Sequence, residues 1–260
     1  MRPPWSLPSN RQGAGETIDP VAKRMIITID GPAGAGKSTV SRLLALHLDL
    51  PHLNSGFIYR TVTLLAIERA AAEGCGIEEI FERRDAIIEL IAGLELTFRD
   101  EPSDSGADSG RTLVFVGERE ISGDLKSAGV TSNIWRVAND GEYRGGLLAL
   151  QRSCAEGAGV VAEGRDMGSV VFPDADLKFY LDASSRERAR RRFLEQGTSE
   201  ASMSFEEILE AIESRDRKDR GRENSPLIVP EGALIVNTDE LSAEQTVDFL
   251  VGEVEKKRSA

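Results

Sequence analysis

One eight-residue segment constrains the fold of this 260-residue chain more than any other. Residues 31–38 read GPAGAGKS and match the phosphate-binding loop pattern GxxxxGK[ST]. The glycines let the backbone turn its N–H groups inward, where their partial positive charges can surround a polyphosphate. We expect Lys37 to reach the β and γ phosphates and the Ser38 hydroxyl to bind Mg²⁺.

The residues on either side of this loop fit the motif. The apolar run 25–29 is typical of a buried parallel strand, and Val40, Leu43, Leu44 and Leu48 recur at helical spacing. The segment therefore predicts the strand, loop and helix order in which a phosphate-binding loop works.

Charge and composition limit the partners. The formal net charge is −12 and the pI is about 4.8, which argues against a nucleic-acid polymer or an anionic membrane as partner. Small phosphorylated ligands remain compatible, because a local cluster of arginines can oppose the global charge. No apolar stretch approaches the roughly 20 residues of a membrane span, so we expect no membrane insertion.

The cysteines and histidines give little support to a disulfide bond or a zinc site. The chain has two isolated cysteines, Cys75 and Cys154, and no secretory signal, which favours a reduced, cytoplasmic protein. His47 and His52 are too few and too poorly spaced for zinc, and we interpret both as structural or surface residues. The leader 1–24 is rich in Pro, Gly and polar residues and predicts a disordered, dispensable extension.

Two polar residues follow the second predicted strand. Residues 50–53 are strand-like, and 57–72 are helical in pattern, so Ser55 and Arg60 lie near the carboxyl end of a strand. Ligands bind at that edge in open α/β sheets. The alternative is that Ser55 is a plain helix cap and Arg60 a solvated charge.

The next part of the chain has a different character. Residues 77–93 predict one amphipathic helical stretch, and 94–99 and 112–116 are strand-like runs around the acidic segment 100–110. This pattern favours a β-hairpin inserted into the core rather than a continued β/α alternation.

Three further strands complete the predicted sheet. Residues 160–162 form an apolar run that is followed by Glu163. The Glu163 carboxylate would orient the ligands around Mg²⁺. The alternative is that Glu163 has no such role and simply ends a buried strand. Residues 177–181 and 234–236 add two more strands. We therefore predict an α/β fold with a central parallel sheet of about five strands and helices on both faces.

An arginine-rich region lies between the last two strands. Arg188, Arg191 and Arg192 are spaced so that three guanidinium groups crowd one helical face. A second helix should begin with a capping box at Ser204 and Glu207. Its apolar face continues into three charged residues, Arg215, Asp219 and Arg222. We expect these side chains to point toward a cleft. The alternative is a solvent-exposed helix surface with several ion pairs.

Five segments together resemble one family. GPAGAGKS, NSGFIYR, AEGRDMGSVVFPDA, DASSRERARRR and RDRKDRGR, in this order, are similar to the motifs of the bacterial cytidylate kinases, from about residue 25 to the end of the chain. The resemblance implies transfer of the γ-phosphoryl group of ATP to CMP or dCMP with Mg²⁺. It also implies a three-layer phosphate-loop fold with a core (25–76, 136–183 and 223–260), a monophosphate-binding insertion (77–135) and an Arg-rich mobile lid (184–222).

The resemblance assigns roles residue by residue. The ATP-binding loop would comprise Gly31, Pro32, Ala33, Gly34, Ala35, Gly36, Lys37, Ser38 and Thr39. The acceptor phosphate would contact Ser55, Arg60 and Arg165, and the cytosine edge Arg144 and Asp166. Arg215, Asp219 and Arg222 would contact the ribose and phosphate. Catalytic cations would be Lys37, Arg165, Arg188, Arg191 and Arg192, in a monomer with no obligate protein partner.

Two positions depart from the family pattern. Asn54 stands where an Asp is usual, and Trp135 stands where a Ser that contacts the base is expected. Either Trp135 lies in the core and Ser132 or Asn133 takes the contact, or the indole packs on the base and selectivity rests on Arg144 and Asp166. We expect the first, because a bulky apolar residue in a helix is more often core than ligand contact.

Other activities remain as alternatives. A kinase for UMP, another nucleotide or shikimate is the nearest, although the second and fifth motifs favour a nucleotide as the acceptor. A nucleotide-dependent switch or assembly ATPase is more distant, because the chain has neither an NKxD nor an LSGGQ motif.

Overall fold

The computed structural model describes residues 25–101, 110–196 and 203–259 and divides them into two compact units. The core unit contains residues 25–53 and 157–259, and the inserted unit is Asn54–Glu156. The predicted leader and residues 102–109 of the acidic segment lie outside the described residues. Within the described ranges, no helix has both the length and the hydrophobicity to cross a membrane.

The chain begins with the predicted strand, loop and helix. Strand β1 is Ile26–Asp30, helix α1 is Lys37–Leu48, and strand β2 is His52–Asn54. The sequence of β1, IITID, is buried almost throughout, as expected of a parallel strand covered on both faces. Helix α1 ends at Asp49, whose left-handed φ of 53° turns the chain back toward the sheet.

The described residues of the inserted unit form five α-helices, a 3₁₀ helix (Asp124–Lys126) and a small sheet. The α-helices and strands are α2 (Ser55–Glu73), α3 (Ile77–Glu82), α4 (Arg84–Ala92), β3 (Leu96–Glu101), β4 (Arg111–Val116), β5 (Arg119–Glu120), α5 (Ala128–Ala138) and α6 (Gly141–Ser153). Strands β3 and β4 pair antiparallel, which confirms the predicted hairpin, and β5 adds a third strand. The single helical stretch predicted at 77–93 was wrong in one respect, because the helix breaks at Arg83.

The chain then returns to the core unit. The remaining elements are β6 (Val160–Gly164), β7 (Leu177–Asp182), α7 (Ser185–Gln196), α8 (Phe205–Arg220), β8 (Leu234–Asn237) and α9 (Ala243–Ser259). The central sheet has five strands in the order β2-β6-β1-β7-β8, and the β1–β6, β1–β7 and β7–β8 pairs are parallel. The predicted five-stranded parallel sheet is confirmed.

Apolar side chains of α1 and α9 form the hydrophobic core with β1. Leu44 on α1, Ile27 on β1 and Leu250 on α9 are all fully buried members of this cluster. The predicted capping box of α8 is present, because Ser204 and Glu207 bond each other reciprocally. At the start of α9, Ser242 and Gln245 exchange the same two bonds.

The order of the strands determines where polar residues gather. Strand β1 is the middle strand, with β6 and β7 on its two sides, so the loops after these strands leave neighbouring positions at one edge of the sheet. The phosphate-type loop leaves β1, Arg165 follows β6, and Ala183 follows β7.

Gly31 allows the chain to leave β1 at this edge. Its φ is +146°, and a Cβ atom on it would lie 2.0 Å from the carbonyl oxygen of Leu181 in β7. That oxygen belongs to a paired strand of the sheet, so it cannot move aside as a flexible side chain could.

We expect Gly31→Ala to lower the free energy of unfolding by more than about 2 kcal/mol, because the methyl group would collide with backbone. Gly252→Ala is the matched control: it lies inside α9 in the same unit with no described atom within 4 Å, and it should be neutral or stabilising by up to about 1 kcal/mol. Urea unfolding of both variants tests this. Equal effects of the two substitutions would contradict the proposed collision.

Candidate active site

The loop between β1 and α1 has the backbone shape that its glycines predict. Gly31, Gly34 and Gly36 all have positive φ, at 146°, 81° and 84°. Ala35 is fully buried, whereas Gly34, Ser38 and Thr39 are exposed. Helix α1 begins at Lys37 directly after this turn, so its first N–H groups lie at the loop.

Lys37 is a buried cation beside this loop. Its side chain is only 7% exposed, and Nζ donates a hydrogen bond to the Pro32 carbonyl oxygen at 2.7 Å. Burial holds the pKa of Lys37 well below its usual range, and the positive charge of Arg165 lowers it further. A bound polyphosphate would supply the negative charge that favours the protonated amine.

Ser38 and Glu163 bring two oxygen atoms together. The Ser38 hydroxyl donates to Glu163 Oε2 at 3.0 Å, across 125 residues of sequence. Glu163, at the carboxyl end of β6, is almost fully buried. Hydroxyl and carboxylate oxygens suit Mg²⁺, which keeps several waters and is usually held by one or two protein groups together with substrate phosphates. The described residues contain no group of three or more His, Cys, Asp or Glu that could hold a metal by themselves.

Asp219 gathers arginines from two elements. It accepts hydrogen bonds from Arg165 Nε at 3.0 Å and from Arg222 Nη2, and Arg215 Nε lies 3.9 Å away. Burial alone would raise the pKa of Asp219, but the charges of Arg165 and Arg222 outweigh it and hold the pKa below its ordinary value. The structure thus brings together four of the predicted substrate residues, of which Arg215 is about half exposed.

The arginines of α7 divide into two groups. Arg188 is buried, pairs with Asp216 at 2.5 Å and donates to the Ala33 carbonyl oxygen of the loop at 3.1 Å. Arg191 bonds the Thr238 side chain at 3.2 Å. Arg192 does not share their surroundings: its side chain is 69% exposed and pairs with Glu195. The expected crowding of three guanidinium groups on one face therefore does not include Arg192, whose side chain extends into solvent.

Sequence patterns did not predict two acidic residues at this edge, Asp216 and Asp30. Asp216 is the buried partner of Arg188. Asp30, the last residue of β1, accepts hydrogen bonds from the backbone N–H groups of Met167 at 2.8 Å and Gly168 at 2.7 Å. These bonds anchor the segment directly after Arg165 and Asp166, so Asp30 positions two predicted substrate residues. A carboxylate at the end of a mostly apolar strand was the available signal.

Predicted substrate residues in the inserted unit lie on α2 and α6. Ser55 is buried at the start of α2, and Arg60, one turn further on, donates to the Leu125 carbonyl oxygen at 2.7 Å. Arg144 is also buried, donates to the Ala138 carbonyl oxygen at 2.9 Å and lies 5.0 Å from the centre of the Tyr59 ring. These cations are held in place by the protein rather than free in solvent.

The expectation that Trp135 lies in the core was wrong. Trp135 is 50% exposed on α5, and the Arg136 guanidinium lies 4.7 Å from its ring centre. The buried face of α5 carries Val130 and Val137, and helical geometry places Trp135 on nearly the opposite side. Ser132 and Asn133, the suggested substitutes, both bond the Gly129 carbonyl oxygen.

The fold and the geometry of this edge together define a class of protein. A parallel sheet with a glycine turn, a buried lysine and a paired Ser and Glu at one edge defines the phosphate-loop class of nucleotide-binding α/β proteins. A family model described as cytidylate kinase matches residues 27–256. The chain belongs to the cytidylate kinase family, and the resemblance drawn from its motifs is confirmed.

Relatives match along nearly their whole length. The cytidylate kinase of Caldanaerobacter subterraneus is 37% identical over 230 residues, covering 88% of this chain and 94% of the relative. That of Exiguobacterium sibiricum is 38% identical, with 86% and 94% covered. That of Salmonella arizonae is 37% identical, with 86% and 92% covered.

Burial of Asp30 makes a testable contribution to the pH dependence of stability. Burial raises the pKa of Asp30 from 3.8 to about 6, despite the two opposing backbone hydrogen bonds. The folded chain therefore binds a proton that the unfolded chain releases between these values. The stabilisation is fully present below about pH 3.8 and is lost as the pH rises through about 6.

We expect the free energy of unfolding of the wild type, minus that of Asp30→Asn, to fall by about 2 kcal/mol between about pH 4 and pH 7. Asn cannot titrate, and all other groups cancel in the difference. Urea unfolding of both proteins across this range measures it. A difference that does not change with pH would show that Asp30 has an ordinary pKa in the folded chain.

Proposed function

We propose that this protein transfers the γ-phosphoryl group of ATP to CMP or dCMP, giving ADP and CDP or dCDP. The observation that carries the proposal is the cluster at the carboxyl edge of the parallel sheet in a chain of the cytidylate kinase family. There, a phosphate-type loop with Lys37 and an arginine cluster around Asp219 belong to one compact unit. A donor polyphosphate and an acceptor phosphate both need such positive surroundings.

The donor would bind at the loop. Backbone N–H groups of residues 31–39 would surround the phosphates, as the positive φ of the three glycines allows. Lys37 would contact the β and γ phosphates, and Ser38 would hold Mg²⁺ with Glu163, directly or through water. Held there, Mg²⁺ would supply positive charge that offsets the negative charge of the phosphate oxygens.

The acceptor would be recognised by charged residues of the core unit. Arg165, Arg215 and Arg222 would contact its phosphate and ribose, and Asp219, which accepts hydrogen bonds from Arg165 and Arg222, would hold their guanidinium groups in place. Asp166 would read the cytosine edge. By the family resemblance, Ser55 and Arg60 would contact the acceptor phosphate, and Arg144 the base.

Catalysis would consist mainly of alignment and charge neutralisation. The attacking oxygen belongs to an anionic phosphate, so no general base is required, and cations that contact the transferring group lower the barrier. We assign this role to Lys37, Arg165, Arg188 and Arg191. Arg192 would join them only if its helix moves, because it now points to solvent.

Regional roles follow from the same proposal. Residues 77–135 would form the monophosphate-binding insertion and 184–222 an Arg-rich lid that closes over bound nucleotides and excludes water. We further propose a cytoplasmic monomer that acts on free nucleotides, in keeping with the acidic net charge of −12.

We expect the purified protein, with ATP and Mg²⁺, to phosphorylate CMP and dCMP much faster than UMP, AMP or shikimate. Chromatographic separation of labelled products measures each rate in parallel.

Lys37→Met should lower turnover of CMP by at least a hundredfold, because it removes a charge directed at transition-state oxygens.

Two outcomes would contradict this proposal. Release of inorganic phosphate without a phosphorylated acceptor would indicate an ATPase or switch. Retention of a tenth of the wild-type rate by Lys37→Met would remove Lys37 from catalysis. Lys256→Met is the matched control, since it deletes an exposed lysine on α9 that pairs with Glu253, and we expect little loss of turnover.

We also propose that the Trp135 indole packs on the acceptor base. The ring is half-exposed on α5 and already lies against the Arg136 guanidinium, so a planar group can stack on it. Aromatic stacking on a base is worth about 1 to 3 kcal/mol and tolerates any base, because every base has a π face. Selectivity would then rest on Arg144 and Asp166.

Trp135→Ala should therefore raise KM about tenfold for CMP and for UMP alike, with the KM for ATP unchanged and the CMP to UMP ratio of kcat/KM altered by less than about threefold. Trp135→Phe should keep most of the affinity. Steady-state kinetics with both acceptors measure this. Phe249→Ala, which removes another half-exposed aromatic ring, is the control, and equal behaviour of the two Ala variants would overturn the proposal.

A further inference from the structure

His52 is a buried polar residue for which the proposed mechanism has no role. It lies on β2 in the core unit, and its side chain is only 2% exposed. Its Nε2 atom lies 2.9 Å from the Ser41 hydroxyl and 3.4 Å from Glu163 Oε1. Among the described residues, Nδ1 has no hydrogen-bond partner.

These contacts indicate where the ring carries its hydrogen. A neutral imidazole has one N–H group, and Nε2 is the nitrogen that faces two oxygen acceptors. We therefore assign the hydrogen to Nε2, where it is shared between Ser41 and the Glu163 carboxylate. The Ser41 hydroxyl is then free to donate to the Ser38 carbonyl oxygen, 3.4 Å away.

The resulting network reaches both members of the candidate magnesium pair. Glu163 accepts from Ser38 through Oε2 and faces His52 through Oε1, so the carboxylate is held from both sides. Ser38 is held through its hydroxyl by Glu163 and through its carbonyl oxygen by Ser41. Mutation of residues that orient metal ligands in this way typically lowers metal affinity by about 10- to 100-fold.

A role in packing alone does not explain this side chain. An apolar residue would fill the same space without leaving a buried nitrogen unpaired, which costs about 1 to 3 kcal/mol. The imidazole is therefore better explained by the oxygens it faces. The interpretation of His52 from sequence as simply structural or surface was incomplete, because its partners lie 11 and 111 residues away.

We propose that His52, acting with Ser41, is a positioning residue that holds Glu163 and Ser38 ready for magnesium-bound nucleotide. The inference rests on the proposed function, since it concerns the same donor site. It assigns no contact between His52 and the nucleotide or the metal.

Binding of ADP with and without Mg²⁺ tests the proposal without turnover. Isothermal titration calorimetry gives the Kd for ADP in EDTA and in excess Mg²⁺ for the wild type, His52→Leu and His52→Gln. We expect His52→Leu to weaken binding in Mg²⁺ by about tenfold and binding in EDTA by less than about twofold. His52→Gln should stay within about threefold of the wild type, because its amide can donate from nearly the position of Nε2.

Each other result has a defined meaning. Equal losses with and without Mg²⁺ in His52→Leu, or no loss at all, would overturn the positioning role. If urea unfolding shows that His52→Leu does not fold, His52→Gln is compared with His52→Asn instead. The shorter Asn amide cannot reach Glu163, so only His52→Asn should lose affinity in Mg²⁺. Equal Mg²⁺ dependence of these two variants would overturn the inference. A wild type whose ADP affinity does not depend on Mg²⁺ would instead remove the proposed metal role itself.

Discussion

Burial of charged groups at the carboxyl edge of the central sheet is the constraint on which the rest of this structure depends. Lys37, Glu163, Arg188, Asp216 and Asp219 are all nearly inaccessible to solvent. An isolated charge in such surroundings would cost several kcal/mol, so each must find a partner of opposite charge or a hydrogen bond. The strand order places their loops side by side, and the pairs Arg188–Asp216 and Arg165–Asp219 form as a consequence.

Compensation at this edge is incomplete, and the imbalance suits a phosphate ligand. Lys37 has a carbonyl oxygen as its hydrogen-bond partner and a lowered pKa, with the Arg165 cation adding to the effect of burial. The fold thus keeps a desolvated cation where a polyphosphate would bind. Preorganised charge of this kind stabilises a transition state without rearrangement at the moment of reaction.

Much of the fold could be predicted from local sequence. Alternation of apolar runs with helical periodicity placed the five parallel strands, and the loop motif placed the donor site between β1 and α1. The capping boxes at α8 and α9 were readable because both partners lie three residues apart. The break at Arg83 and the exposure of Trp135 were not, since they depend on which face of each helix meets a neighbour.

Motifs and periodicity are local properties of the chain, so they were enough to indicate the family, the sheet and the set of cations available for phosphate chemistry. Which of these groups have partners depends on the folded arrangement. Asp30 bonds backbone 137 residues away, and Glu163 meets Ser38 across 125 residues. Such pairs leave no local pattern, since they arise from strand order and burial, and the cost of burying an unpaired charge then selects the partner.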